Sequence, residues 1–130
     1  MSKRASGTFE VKVTPMSPDE IGDPSVGRMV LEKQFHGDLE GSSKGQMLAV
    51  STDVAGSAGY VAIERFSGTL SGQNGSFALQ HLGSMNRGAF ELSISVIPDS
   101  GTEQLTGLKG KMVINITDGN HFFEFDYTLD

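Results

Sequence analysis

Cysteine and tryptophan are absent from this 130-residue chain, proline occurs four times, and charged residues make up only 20% of it. The missing cysteines remove disulfides, thiolate nucleophiles and thiolate-ligated metals together, and they fit a cytoplasmic protein. No apolar run approaches the roughly 20 residues that a membrane helix needs, so no membrane partner is expected. The N-terminal MSKRASGTF carries two basic residues with no apolar stretch behind them, which does not read as a secretory signal. Basic charge is scarce too. A formal net charge of -6 leaves little for a phosphate backbone to hold, so no nucleic-acid partner is expected.

What remains is glycine, 17 of them, among Val, Ile, Thr and Phe. That combination suits short strands joined by tight turns rather than helices. Alternating segments followed by Gly-rich breaks predict eight strands, at 6–14, 27–39, 45–53, 58–70, 76–84, 88–97, 110–117 and 121–129. Between the first two, Ser17-Pro18-Asp19-Glu20 has the form of a capping box, with room for one helical turn before Gly22 and Pro24. The whole chain, 1–130, reads as one domain.

Hairpin chemistry sets provisional registers. A turn at Asp118-Gly119 pairs Ile114 with Phe123 and Met112 with Phe125, apolar against apolar. A turn at Asn86-Arg87 pairs Leu79 with Ile94 and His81 with Leu92. One at Ser42-Ser43 sets Phe35 against Val50, and one centred on Gln73 sets Arg65 against His81. One buried face per strand leaves a sandwich or a closed barrel. Closure is favoured, because the first and last strands would otherwise be long edges with an apolar face. The expected fold is an all-β, closed, eight-stranded, mostly antiparallel barrel with at most one or two single-turn helices.

In these registers Arg65, His81 and Tyr127 face an apolar interior, joined by Lys33 from the row Leu31, Lys33, Phe35. An Arg beside a His in such an enclosure suits an anion or a carbonyl, and a buried charge normally needs a partner. The blander reading leaves Arg65 snorkelling at a barrel mouth. Tyr60, Glu64, Phe66 and Leu82 would then lie outside, suggesting contact with a second copy of the chain. Strand 58–70 is apolar on both faces, however. The opposite register turns Glu64 and Tyr60 inward, where Glu64 is the best general acid or base in the chain.

His36, His81 and His121 fit no metal-binding pattern, and His36 and His121 read as surface residues. No nucleophile elbow or phosphate loop is present, and no cofactor is implied. Three functions stay open. They are a barrel binding a small apolar or amphipathic ligand, a cofactor-independent isomerase or cyclase, and a homo-oligomeric interaction module. Filling of the interior by the chain's own Phe side chains, leaving a volume well below the roughly 300 Å³ lower bound of ligand pockets, would sink the first.

The segments GYVAIERFSGTLSGQNGSFALQHLGSM (59–85), KQFHGDLEG (33–41), PDSGTEQLTGLKG (98–110) and DGNHFFEFDYTL (118–129) together resemble an uncharacterised bacterial family of small proteins, a domain of unknown function. The resemblance spans nearly the whole chain. It implies the closed, eight-stranded architecture of the allene oxide cyclase-like barrels, with which that family is grouped. It transfers no catalytic residue.

Overall fold

The computed structural model describes residues 2–16 and 23–129. The helical turn expected at Ser17–Glu20 lies outside them. Eight strands follow in order: β1 (Lys3–Pro15), β2 (Gly27–Gly37), β3 (Leu39–Ser51), β4 (Ala58–Leu70), β5 (Gln73–Asn86), β6 (Ala89–Val96), β7 (Lys109–Thr117) and β8 (Asn120–Thr128). Each pairs antiparallel with the next, and β1 pairs with β8 to close the barrel. Closure is the arrangement that leaves no apolar edge strand exposed. Arg4 crosses the seam, with Nε 2.7 Å from Asp126 Oδ1 and a further ion pair to Glu124. A single 3-10 turn, Glu103–Leu105, interrupts the connection between β6 and β7. Among the described residues no helix is long and apolar enough to cross a membrane.

Three of the turns share one backbone solution. Ser71-Gly72, Arg87-Gly88 and Asp118-Gly119 have positive φ at both residues, as a type I′ hairpin turn requires. The Asp118-Gly119 register is as expected, with Ile114 opposite Phe123 and Met112 opposite Phe125. The β5–β6 register slips by two positions, pairing Leu79 with Val96 and His81 with Ile94. An even slip preserves the buried face.

The other two registers change faces. The β2–β3 chain reversal falls around Asp38 rather than at Ser42-Ser43, so Phe35 pairs with Gly41 rather than Val50. Leu48 and Val50 consequently point outward and are exposed. The β4–β5 turn is Ser71-Gly72, which pairs Arg65 with Ala78 and His81 with Ala62. This odd displacement reverses β4: Tyr60, Glu64 and Phe66 face inward, while Val61, Ile63 and Arg65 face outward.

The two ends of the interior differ. At one end Leu39, Phe66, Leu70, Phe77, Phe125 and Tyr127 form a buried cluster. Leu105 and Leu108, from the β6–β7 connection, complete it. At the other end the inward row thins out: Val13, Phe90 and Ile116 are exposed at the rim. Among the described residues, one end is therefore filled by side chains and the other is not.

Candidate functional site

A polar cluster sits where the packed half meets the open half. Glu64, from β4, is 1% exposed, and its carboxylate is the hub. Lys33 Nζ donates to Glu64 Oε2 at 2.8 Å, His81 Nε2 lies 2.6 Å from the same oxygen, and the Ser43 hydroxyl donates to Oε1 at 2.7 Å. Tyr60, two inward positions along β4 from Glu64 towards the rim, places its hydroxyl 3.5 Å from His81 Nδ1. The arrangement that uses both ring nitrogens has Nε2–H donating to Glu64 and Nδ1 accepting from Tyr60.

The sequence builds this cluster through small residues as much as polar ones. Lys33 and Glu64 lie on β2 and β4, with β3 between them. The inward positions of β3 at this level are Gly41, Ser43 and Gly45, so the lysine stem passes over β3 unobstructed. A Cβ on Gly45 would come within 2.7 Å of Glu64 Cβ. On β5, Gly83 does the same for Tyr60: a Cβ there would sit 2.3 Å from the tyrosine ring. Glycine at these two positions gives the larger side chains their places.

Burial alone would push the Glu64 carboxyl up, but His81, Lys33 and Ser43 outweigh it and hold the group at about 2. The aromatic rings of Phe9 and Phe35 lie 5.2 Å and 6.0 Å from Lys33 Nζ, so the ammonium sits between a carboxylate and two π faces. No buried side-chain nitrogen or oxygen among the described residues lacks a hydrogen-bond partner. Burial pushes the Tyr60 phenol up, and the Glu64 charge adds to the effect. Glu64 is thus an ionised, fully engaged carboxylate that holds His81 in one orientation, a poor general base. Tyr60 is a phenol kept protonated, able to donate.

At the rim lies a cavity of about 200 Å³, lined by inward positions such as Met47, Ala49, Tyr60, Gly83 and Met85 and by the outward-facing Val50 and Ser84. Larger concavities, about 370 and 400 Å³, lie around Val61 and Leu82, and the first of them is also lined by Ala62 and His81. Six Phe side chains, Phe9, Phe35, Phe66, Phe77, Phe123 and Phe125, are buried in the interior.

Of the residues singled out from sequence, Tyr60, Glu64 and His81 come together. Arg65 does not join them: it is exposed on the outer wall, opposite Ala78 and Lys44 in the pairing. Tyr127 is buried, but at the closed end, stacked on Phe125 and bonded through its hydroxyl to Ser71 Oγ at 3.2 Å. The outer-face contact expected at Tyr60, Phe66 and Leu82 loses two of its three members to the interior. His36 is at the surface, beside Glu10 and Glu40. His121 is only partly exposed, its ring centroid 5.1 Å from that of Phe9. Among the described residues no group of acidic and His side chains could hold a metal ion.

Sequence reasoning missed Ser43 and the Lys33–Glu64 pairing. The signal was available, since Lys33 stood alone in an apolar row and Glu64 was the one carboxylate with an inward alternative.

Fold and interior together define a closed antiparallel meander barrel, packed at one end and carrying a buried polar cluster in its interior. The chain belongs to the family described as protein of unknown function (DUF3224), whose model matches residues 5–127. A crystal structure of a DUF3224 protein of unknown function from Shewanella oneidensis MR-1 is 46% identical. The match covers 100% of this chain and 99% of that one, with a TM-score of 0.92. No curated protein matches the chain.

Proposed function

We propose that this barrel binds one small molecule in its open half. The observation that supports the reading is the buried Lys33–Glu64–His81–Ser43 cluster, which is joined through Tyr60 to a cavity at the rim of an otherwise apolar interior. Buried ion pairs seldom improve on well-packed hydrophobic residues, so their retention argues for a role other than packing. A cavity with apolar walls and a few convergent polar groups is the usual construction of a ligand site. At about 200 Å³ the cavity is smaller than the roughly 300 Å³ at which drug-sized pockets begin, which counts against a ligand of that size and restricts any occupant to a short chain or a single ring.

Native mass spectrometry of protein purified from its own host tests this directly. The expected result is a fraction of the protein carrying one small organic molecule, released on unfolding. In Gly83→Leu, where the new side chain drives Tyr60 into the cavity, that fraction is expected to vanish while the barrel stays folded by circular dichroism. Protein free of any adduct, or an adduct retained by the blocked variant, overturns the proposal.

A further inference from the structure

The charges of the cluster are spent on one another, and this constrains what the cavity can recognise. Glu64 accepts from Lys33, His81 and Ser43, leaving neither oxygen free of a partner. Lys33 is held by that carboxylate and flanked by the rings of Phe9 and Phe35. Neither residue is among those that line the cavity. Among the described residues the lining holds no Lys, Arg, Asp or Glu, and Tyr60 is the residue that joins it to the cluster.

We infer that the occupant is a neutral, amphipathic molecule whose carbonyl or hydroxyl group meets the Tyr60 hydroxyl, with carboxylates and amines excluded. The inference rests on the binding reading above and specifies its chemistry. At 3.5 Å the Tyr60–His81 contact is at the long limit of a hydrogen bond, so the phenol is only loosely engaged. A ligand carbonyl can take its proton in a shorter bond, and a ligand hydroxyl can donate to its oxygen. The phenol stays neutral because burial and the Glu64 charge both oppose its ionisation. A ligand carboxylate in the same place would be desolvated near Glu64 with no free cation to meet it. A ligand ammonium would be desolvated opposite a carboxylate whose charge is already shared among three donors. Gly83 fixes the geometry, because its missing Cβ is what lets the Tyr60 ring lie against β5. Tyr60 is the contacting residue, and His81 and Glu64 position it.

Four probes with one apolar body separate the outcomes: 2-octanone, 1-octanol, octanoate and octylammonium, titrated at neutral pH and followed by amide chemical shifts. The expected result is saturable shifts at Met47, Ala49, Tyr60 and Gly83 with the ketone and the alcohol. Octanoate and octylammonium are expected to bind at least tenfold more weakly. Tyr60→Phe is expected to weaken the ketone about fivefold, the loss of one hydrogen bond. Its binding of 1-octene, which has no polar head, should be unchanged. Octanoate or octylammonium binding as well as the ketone, or a ketone affinity indifferent to Tyr60→Phe, overturns the inference and leaves the cavity proposal intact. Failure of all four probes to shift the mouth residues overturns the cavity proposal itself.

Discussion

At the closed end of the barrel, Phe66 and Phe77 lie with ring centroids 5.1 Å apart, and Phe77 and Phe125 are stacked at 5.8 Å. A few residues further along the same strands, the inward positions hold Lys33, Ser43, Glu64 and His81 instead. Both regions are buried and both have their bonding needs met, yet they differ in what replaces them. An aromatic cluster is irreplaceable by anything smaller, because each ring fills volume that its neighbours cannot recover. The polar cluster is replaceable in principle by side chains of similar bulk, since its charges offset mainly the cost of their own desolvation. One half carries the fold, while the other occupies a position that the fold could have filled more simply.

The largest expected effects come from breaking each half in turn. Phe77→Ala removes a fully buried ring and is expected to cost about 3–5 kcal/mol. Glu64→Leu leaves the Lys33 ammonium and the His81 N–H buried without their acceptor, and is expected to cost a similar amount, about 3–5 kcal/mol. The two then part company. Replacing the three long polar side chains together, as Lys33→Met/Glu64→Leu/His81→Leu, should restore stability to within about 1 kcal/mol of the parent or above it. Urea unfolding midpoints with unchanged m-values decide this. A triple variant as unstable as Glu64→Leu alone would mean that the cluster is part of the scaffold.

Acid should find the open half first. The Glu64 carboxyl is held at about 2, below the ordinary 4.5, so the unfolded chain binds a proton there that the folded chain refuses. Stability from this group is complete above about pH 4.5 and is lost as pH falls towards 2, a loss on the order of 3 kcal/mol. Unfolding free energies measured across that window should fall with acid in the parent and in Phe77→Ala alike. In Glu64→Gln the corresponding part of the slope should disappear. A slope unchanged by Glu64→Gln would assign it to other carboxylates.

How much of this was readable beforehand turns on parity. The closed barrel followed from counting alternating segments and asking where two apolar edges could go. Asp118-Gly119 announced its own turn, because Asp tolerates positive φ and Gly prefers it. Ser71-Gly72 and Arg87-Gly88 adopt the same backbone, but Ser and Arg do not advertise it. Misplacing the Arg87-Gly88 turn shifted the β5–β6 partners by two and left His81 inside. Misplacing Ser71-Gly72 shifted Arg65 from Ala78 to His81, an odd step, and turned β4 inside out. Side-chain chemistry held the correcting information. An inward Lys33 requires a carboxylate, and only the reversed β4 supplies one.

Arg65 offers the smallest expected effect and the sharpest check on that reversal. With β4 facing as described, its side chain is exposed on the outer wall, far from any ligand role, and the inward neighbours Glu64 and Phe66 are untouched by its removal. Arg65→Ala is therefore expected to change stability by no more than about 0.5 kcal/mol, the usual range for an exposed position. The acid slope below pH 4.5 should remain, since it belongs to Glu64, and ketone binding at the mouth should be unaltered. The outward-facing Glu64 of the opposite register predicts the reverse: an Arg65 substitution that disturbs His81 and a Glu64 substitution that changes little. Measuring the two variants side by side distinguishes the faces of β4 without any knowledge of the ligand.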